Sequence, residues 1–413
     1  MSAQNRSETD PYRGVSLILL TILISPIAIY CAARFMLQDF SIYWYAAARW
    51  LAGSNPYELP GLVSYMSGDA GVIDSNINKL KVWAPPYFLF MMMPFAAFGL
   101  TVGKMLYLAC LLSSLAGWIL LTSRELGAKV VNRQWWYNAN LILLALMVSP
   151  WCVTRSALKC GGMSVLASTA FLLLATTRSF ASFPRWYLFW LLVSIKPHAV
   201  FGAAVAFMFL LPSRERWRSL IALGAAGVLF GLVLLTYSPQ VFDQFLALDS
   251  SVVRVYQVYT QTLVGGLLKL EMSVEASYLV SGSLWLLSLV PLLKMRRASM
   301  DFREIVAVAL IFNTLSLYLS PYAWMHDYQS ALGLLWATWV LVVRTGRLAV
   351  CNIALILAIN LAQILLCIYF VGPHAIIPVG ENSFWSVCAA LYAMLSCINI
   401  IWISKNPRAN RFV

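Results

Sequence analysis

The sequence predicts an all-α, polytopic membrane protein, and three observations carry that expectation. Of 413 residues, 61% are hydrophobic and 11% charged, with a mean hydropathy of +0.77, where a soluble domain carries about 45–50% apolar and about 25% charged residues. The apolar runs are nearly continuous, as in Leu17–Ile24 and Ile353–Ile359, whereas an outer-membrane barrel alternates apolar and polar positions over roughly ten-residue strands. No polar stretch exceeds the one between Gln38 and Lys81, which leaves no place for a large soluble domain. At about 20 residues per span, the apolar content accommodates about 12 transmembrane helices.

Each expected span is an apolar run bounded by charge, Gly or Pro. The first, 15–36, follows Arg6 and Arg13 and ends near Cys31-Ala32-Ala33. That outline also fits a signal peptide, but no soluble domain follows it, so a first span is expected. One or two helices lie within 85–122; further spans are expected at 138–150, 163–177, 187–196, 198–212, 219–237, 276–293, 304–319, 328–343, 348–370 and 384–403. Several fall below about 17 residues, which suggests tilted, broken or re-entrant helices lining a cavity. The chain is read as one integral-membrane domain over 1–413, with 37–84 as a first outer loop containing interfacial helices.

Orientation follows the net charge of +13. Arg6, Arg13, Arg124, Lys129, Arg133, Arg178, Arg185, Arg214, Arg216, Arg218, Lys294, Arg296, Arg297, Arg303, Arg344, Arg347, Lys405, Arg408 and Arg411 fall between alternate spans and mark the cytoplasmic side. The excess is therefore a topology signal, and a nucleic-acid partner is not expected. Both termini are placed inside. The segments 37–84, 151–162, Lys196-Pro197-His198, 238–262, Ser320–Asp327 and 371–383 are placed outside. With 37–84 outside and 123–137 inside, an odd number of crossings is needed within 85–122. Either 85–100 is re-entrant or interfacial, or the charge rule fails at 123–137. The eight cysteines form neither a CxxC pair nor a zinc-spaced cluster with histidine, and are read as small core residues.

The outer side holds the unusual chemistry. Phe40, Tyr43, Trp44 and Trp50 recur at helical spacing, and Gly53 and Pro56 supply a stop, so Phe40–Leu51 is read as an amphipathic helix in the outer interface. Asp39 precedes it, either as the helix cap or as a desolvated carboxylate within reach of substrate. Arg49 lies on the same segment. Ser320–Tyr328 carries Trp324, His326 and Asp327, the composition of a polar substrate site. Lys196 and His198 flank Pro197 at a helix break; a cation at that depth needs an anionic partner unless it reaches the headgroups, and a phosphate is the functional candidate. Arg155 and Lys159 add to a possible anion pocket, and Gly161-Gly162 permits close backbone approach. There is no P-loop, GxGxxG, HExxH, GxSxG or outer DxD, and no pair of matched halves as in many transporters.

Across nearly the whole chain, and in order, these residues resemble glycosyltransferase family 87, polyprenyl-phosphate-sugar-dependent enzymes of the GT-C superfamily. The family's Asp-Phe, Tyr, Ala-Ala and Gly-x-x-Pro-Tyr correspond to Asp39, Phe40, Tyr43 or Tyr45, Ala47-Ala48, Gly53, Pro56 and Tyr57. Its Tyr-Pro-Pro appears as Ala84-Pro85-Pro86, its Gly-Gln as Gly161-Gly162, its Lys-Pro turn as Lys196-Pro197, and its Ser-Pro-x-x-Trp-x-His as Ser320-Pro321, Trp324 and His326. Ala84 and Gly162 depart from the family pattern.

The resemblance implies a GT-C fold and transfer of a sugar, mannose above others, from a polyprenyl phosphate to a lipid or glycan. Asp39 would be the catalytic base, with His326 lining the reaction centre. Lys196, with Arg155 and Lys159, would meet the phosphate, and His198, Tyr43, Arg49, Trp324 and Asp327 would complete the substrate site. A single carboxylate base favours inversion; retention needs a second carboxylate about 5–5.5 Å away. No cofactor or metal is expected, the lipid-linked sugar being a substrate. The expected location is a bacterial inner membrane, with the active site facing the periplasm. A lipid-linked-glycan flippase is the alternative: it would share the aromatics and groove without needing Asp39 as a base.

Overall fold

The computed structural model describes residues 37–58, 82, 84–127, 153, 161–177, 180–194, 196–237, 239–247, 257, 260–296, 300–345, 358 and 380–405. The expected spans at 15–36, 138–150 and 348–370 lie outside or almost wholly outside these residues. Among the described residues the chain is helical, with no strand. Three helices are long and apolar enough to cross a membrane, over Leu100–Thr122, Ser213–Leu235 and Val274–Met295. The latter two leave most of their apolar surface uncovered, with Leu235 71% and Leu279 72% exposed. In water such faces would drive association, so they mark a lipid-facing surface and a membrane protein.

Helix α1 (Gln38–Leu51) packs on α2 (Pro86–Ala96). The indole N–H of Trp44 donates to the carbonyls of Phe95 and Phe98, at 3.0 and 3.2 Å, tying α1 to the end of α2. Pro86 suits the first turn of α2, where its missing N–H has no intrahelical partner to lose. After a break at Ala97–Gly99 the chain enters α3 (Leu100–Gly127). The region 85–122 thus holds two helices, and the 11 residues of α2 span about 16 Å against roughly 30 Å of hydrocarbon.

Next come α4 (Val165–Ala175) and α5 (Phe183–Val193), then a 3-10 turn over Pro197–Val200 that leads into α6 (Phe201–Leu210). Pro197 disfavours helical backbone at the preceding residue, and Lys196 accordingly sits at φ −137°, ψ 79°. Helices α7 (Ser213–Tyr237), α8 (Gln240–Leu246), α9 (Leu263–Lys269) and α10 (Val274–Met295) follow. Helix α11 (Phe302–Tyr318) is the axis of the core. It opens on a capping box between Asp301 and Glu304, is buried along nearly its whole length, and packs on α6, on α12 (Leu334–Thr345) and on α13 (Gly380–Lys405). A 3-10 segment, Met325–Gly333, joins α11 to α12.

One polar residue on α11 holds the break before α6. Asn313 Oδ1 accepts from the backbone N–H of Ala203 at 3.1 Å, while its Nδ2 donates to the Ala199 carbonyl at 2.8 Å. These are the two groups that an unbroken helix would pair with each other, so the Asn313 amide stands in for the missing turn. Gly202 makes this approach possible, since a Cβ there would meet Ser316 Cβ at 2.3 Å.

Gly161, at φ +76°, does the same for α1: a Cβ there would lie 2.7 Å from Phe40 Cβ. Gly161→Ala is therefore expected to lower stability by about 1–3 kcal/mol through backbone strain and overpacking. Thermal unfolding in detergent checks this, and an unchanged midpoint would remove Gly161 from the α1 contact.

Candidate functional site

Four chain breaks meet at one end of the core: the N-termini of α1 and α4, the α5–α6 break, and the loop after α11. The site is assembled there from the charges that Pro197 and the 3-10 segment present. Lys196 Nζ lies 2.8 Å from Asp327 Oδ1, with the two side chains 12% and 1% exposed. Asp327 Oδ1 also accepts from the Ser164 hydroxyl at 3.0 Å, and Oδ2 accepts from the Trp324 backbone N–H at 2.9 Å. Ser164 is the residue before α4, so the carboxylate sits at the positive end of that helix. His198 Nε2 is 3.7 Å from Asp327 Oδ2 on a half-exposed ring. The anionic partner that Lys196 requires is thus Asp327.

The loop bearing Asp327 is pinned from a third direction. Gln261 donates its backbone N–H to the Ala323 carbonyl at 3.1 Å and accepts from the Met325 N–H through Oε1 at 2.9 Å; its own carbonyl accepts from the Tyr328 hydroxyl at 2.8 Å. Ser330, on the same 3-10 segment, accepts from Asn313 at 3.1 Å, so one amide braces both the Lys196 break and the Asp327 segment. The Gly162 carbonyl accepts from Tyr107 at 3.1 Å and from Gln329 at 3.0 Å, which fixes the strand of chain leading to Ser164.

Asp39 belongs to the same assembly but not as a helix cap. The residue before the helix is Leu37, buried and at φ +43°, and Asp39 stands inside the first turn. The left-handed Leu37, a conformation that costs an L-residue about 1–2 kcal/mol, begins α1, and the charges of Asp39, Lys196 and Asp327 all act on the Tyr43 phenol. Burial would pull the Lys196 ammonium down, but Asp327, with Tyr43 and Asp39 nearby, holds it above its ordinary value of 10.5. Its contribution to stability is then complete below pH 10.5 and is lost only as pH rises through the folded value, so the pair is intact at neutral pH. Burial raises the Tyr43 phenol, opposed by Lys196. Burial likewise pushes Tyr322 up to about 12, offset in part by a hydrogen bond from the Trp324 indole.

The structure therefore brings together Asp39, Tyr43, Lys196, His198, Trp324 and Asp327. Arg49 is not among them: ten residues beyond Asp39, near the far end of α1, its Nε donates to the Asn55 carbonyl at 3.1 Å. His326 lies in the 3-10 segment, but its side chain is outside the described residues, as are Arg155 and Lys159. Asp327 cannot serve as a spare second carboxylate, since Lys196, Ser164 and Trp324 occupy it. Sequence reasoning passed over Ser164, Gln261 and Asn313 as site residues and held Tyr322 only as part of the segment Ser320–Tyr328. Asn313 had a readable signal, an amide in the middle of the apolar run 304–319. No group of three or more His, Cys, Asp and Glu side chains suited to a metal comes together among the described residues.

In Asp327→Asn, burial acts on Lys196 with its main opponent gone, and the amine is expected to fall below its ordinary value. Amine-selective labelling at pH 8, read by mass spectrometry, should modify Lys196 in the variant several-fold faster than in the wild type. Equal labelling would contradict the pairing. No protein-family model, curated protein or solved structure matches the chain.

Proposed function

We propose that the protein is a membrane glycosyltransferase of the GT-C type. It would use about 12 transmembrane helices to hold a polyprenyl-phosphate sugar, mannose foremost, beside a lipid or glycan acceptor on the periplasmic face. The observation that carries the reading is the meeting of Asp39, Tyr43 and the Lys196–Asp327 pair at one end of a helical membrane core. A prenyl chain suits the apolar faces, a phosphate suits a fixed cation, and a separate carboxylate suits an acceptor hydroxyl. The resemblance to glycosyltransferase family 87 includes Asp39, Tyr43 and Lys196 among its matched positions.

In the proposed reaction the Asp39 carboxylate takes the acceptor's hydroxyl proton. The acceptor oxygen attacks the anomeric carbon from the face opposite the phosphate. The anomeric C–O bond to phosphate breaks, and its electron pair leaves on the phosphate oxygen, stabilised by Lys196. The products are the glycosylated acceptor, polyprenyl phosphate and protonated Asp39, with inversion at the anomeric carbon. Asp327 is committed to Lys196, which favours a single displacement over a covalent intermediate that would need a second free carboxylate. Asp327 acts as a positioning residue that aims the ammonium.

The test is transfer by purified protein from polyprenyl-phosphate mannose to a panel of lipid acceptors. Asp39→Asn should lower turnover by about 10²- to 10⁴-fold with little change in donor binding. Undiminished turnover in a well-folded variant would refute the base, and donor binding without any turnover in the wild type would favour a flippase.

A further inference from the structure

The hydrogen-bond inventory of the site is unbalanced towards donors. The Lys196 ammonium carries three protons, and one goes to Asp327 Oδ1. The other two, together with the hydroxyl protons of Tyr43 and Tyr322, have no acceptor among the described residues. Asp327 already accepts from Lys196 and Ser164 through one oxygen and from the Trp324 N–H through the other.

Tyr322 is the informative member. Its oxygen accepts the Trp324 indole N–H, and the two rings stand edge to face, with centroids 6.0 Å apart and an interplanar angle of 88°. The Trp324 main chain is in turn bonded to Asp327, whose other oxygen holds Lys196. Tyr322 is thus linked to the ammonium through two hydrogen-bonded steps and a buried ion pair. With the phenol oxygen occupied as an acceptor, the one function left to the hydroxyl is to donate. The ring is half-buried, so a ligand can reach it.

We propose that Tyr322 is a ligand-contacting residue whose hydroxyl donates to a phosphate oxygen of the polyprenyl-phosphate donor, sharing that anion with Lys196. This rests on the glycosyltransferase reading for the identity of the lipid. A preoriented phenol adds a charge-assisted hydrogen bond to an anion that the ammonium attracts.

The experiment measures binding of two probes to the detergent-solubilised full chain, a polyprenyl phosphate and the matching uncharged polyprenol. Tyr322→Phe removes only the hydroxyl. Its affinity for the phosphate probe should fall by about tenfold or more, as for a hydrogen bond to a charged group, while polyprenol binding stays at the wild-type level. Trp324→Phe, which frees the Tyr322 oxygen and loosens its orientation, should weaken phosphate binding less than Tyr322→Phe. Equal phosphate affinity in Tyr322→Phe and wild type would overturn the assignment and leave the glycosyltransferase reading standing. An equal loss for both probes would overturn it in favour of a structural role. Wild-type protein that binds the two probes alike would overturn both the assignment and the phosphate-donor reading.

Discussion

The buried pair of Lys196 and Asp327 is the constraint around which the described structure is arranged. Two charges taken out of water lose hydration worth several kcal/mol each, and their attraction offsets that loss only when the remaining valences are also met. Here Asp327 is met by Ser164, by the Trp324 main chain and by the end of α4. Ser164 and Lys196 reach Asp327 from two other stretches of chain, and Trp324 from its own loop. A pair so placed adds little net stability over a well-packed apolar alternative, yet removing one partner typically costs about 3–5 kcal/mol. That asymmetry favours one arrangement of these segments over others.

The helix breaks follow from the same demand. A continuous α5–α6 helix would keep Lys196 within a helical wall. Pro197 ends α5, and the Asn313 amide replaces the lost turn, so the backbone stays satisfied in a place without water. Gly202 and Gly161 let α11 and α1 come close enough for these contacts. Leu37 in a left-handed conformation belongs with them, a local cost borne where α1 begins.

Much of this was legible in the sequence, because membrane helices are written in hydropathy and charge. The runs expected at 163–177, 219–237, 276–293 and 304–319 correspond to α4, α7, α10 and α11 within a few residues. The segments expected on the outer side supply Asp39, Lys196, Gln261, Trp324 and Asp327 to one locus, and Gly161-Gly162 adjoins it. Asp39 as a cap was not borne out, because nothing local reports that Leu37 takes a left-handed turn stabilised by the distant Gly161. Arg49 drew attention by composition, but its helix is long enough to carry it away from the site. Ser164 and Gln261 act through contacts more than sixty residues apart in the chain, which no local pattern encodes.

Lys196 and Asp327, 2.8 Å apart, act as one unit. A double-mutant cycle on thermal stability in detergent, using Lys196→Met, Asp327→Asn and the two combined, measures that directly. Coupled residues should give an interaction energy of about 1–3 kcal/mol, the double variant being less destabilised than the sum of the singles. Strict additivity would mean that the two residues do not share an interaction, and the site would have to be rebuilt around other contacts.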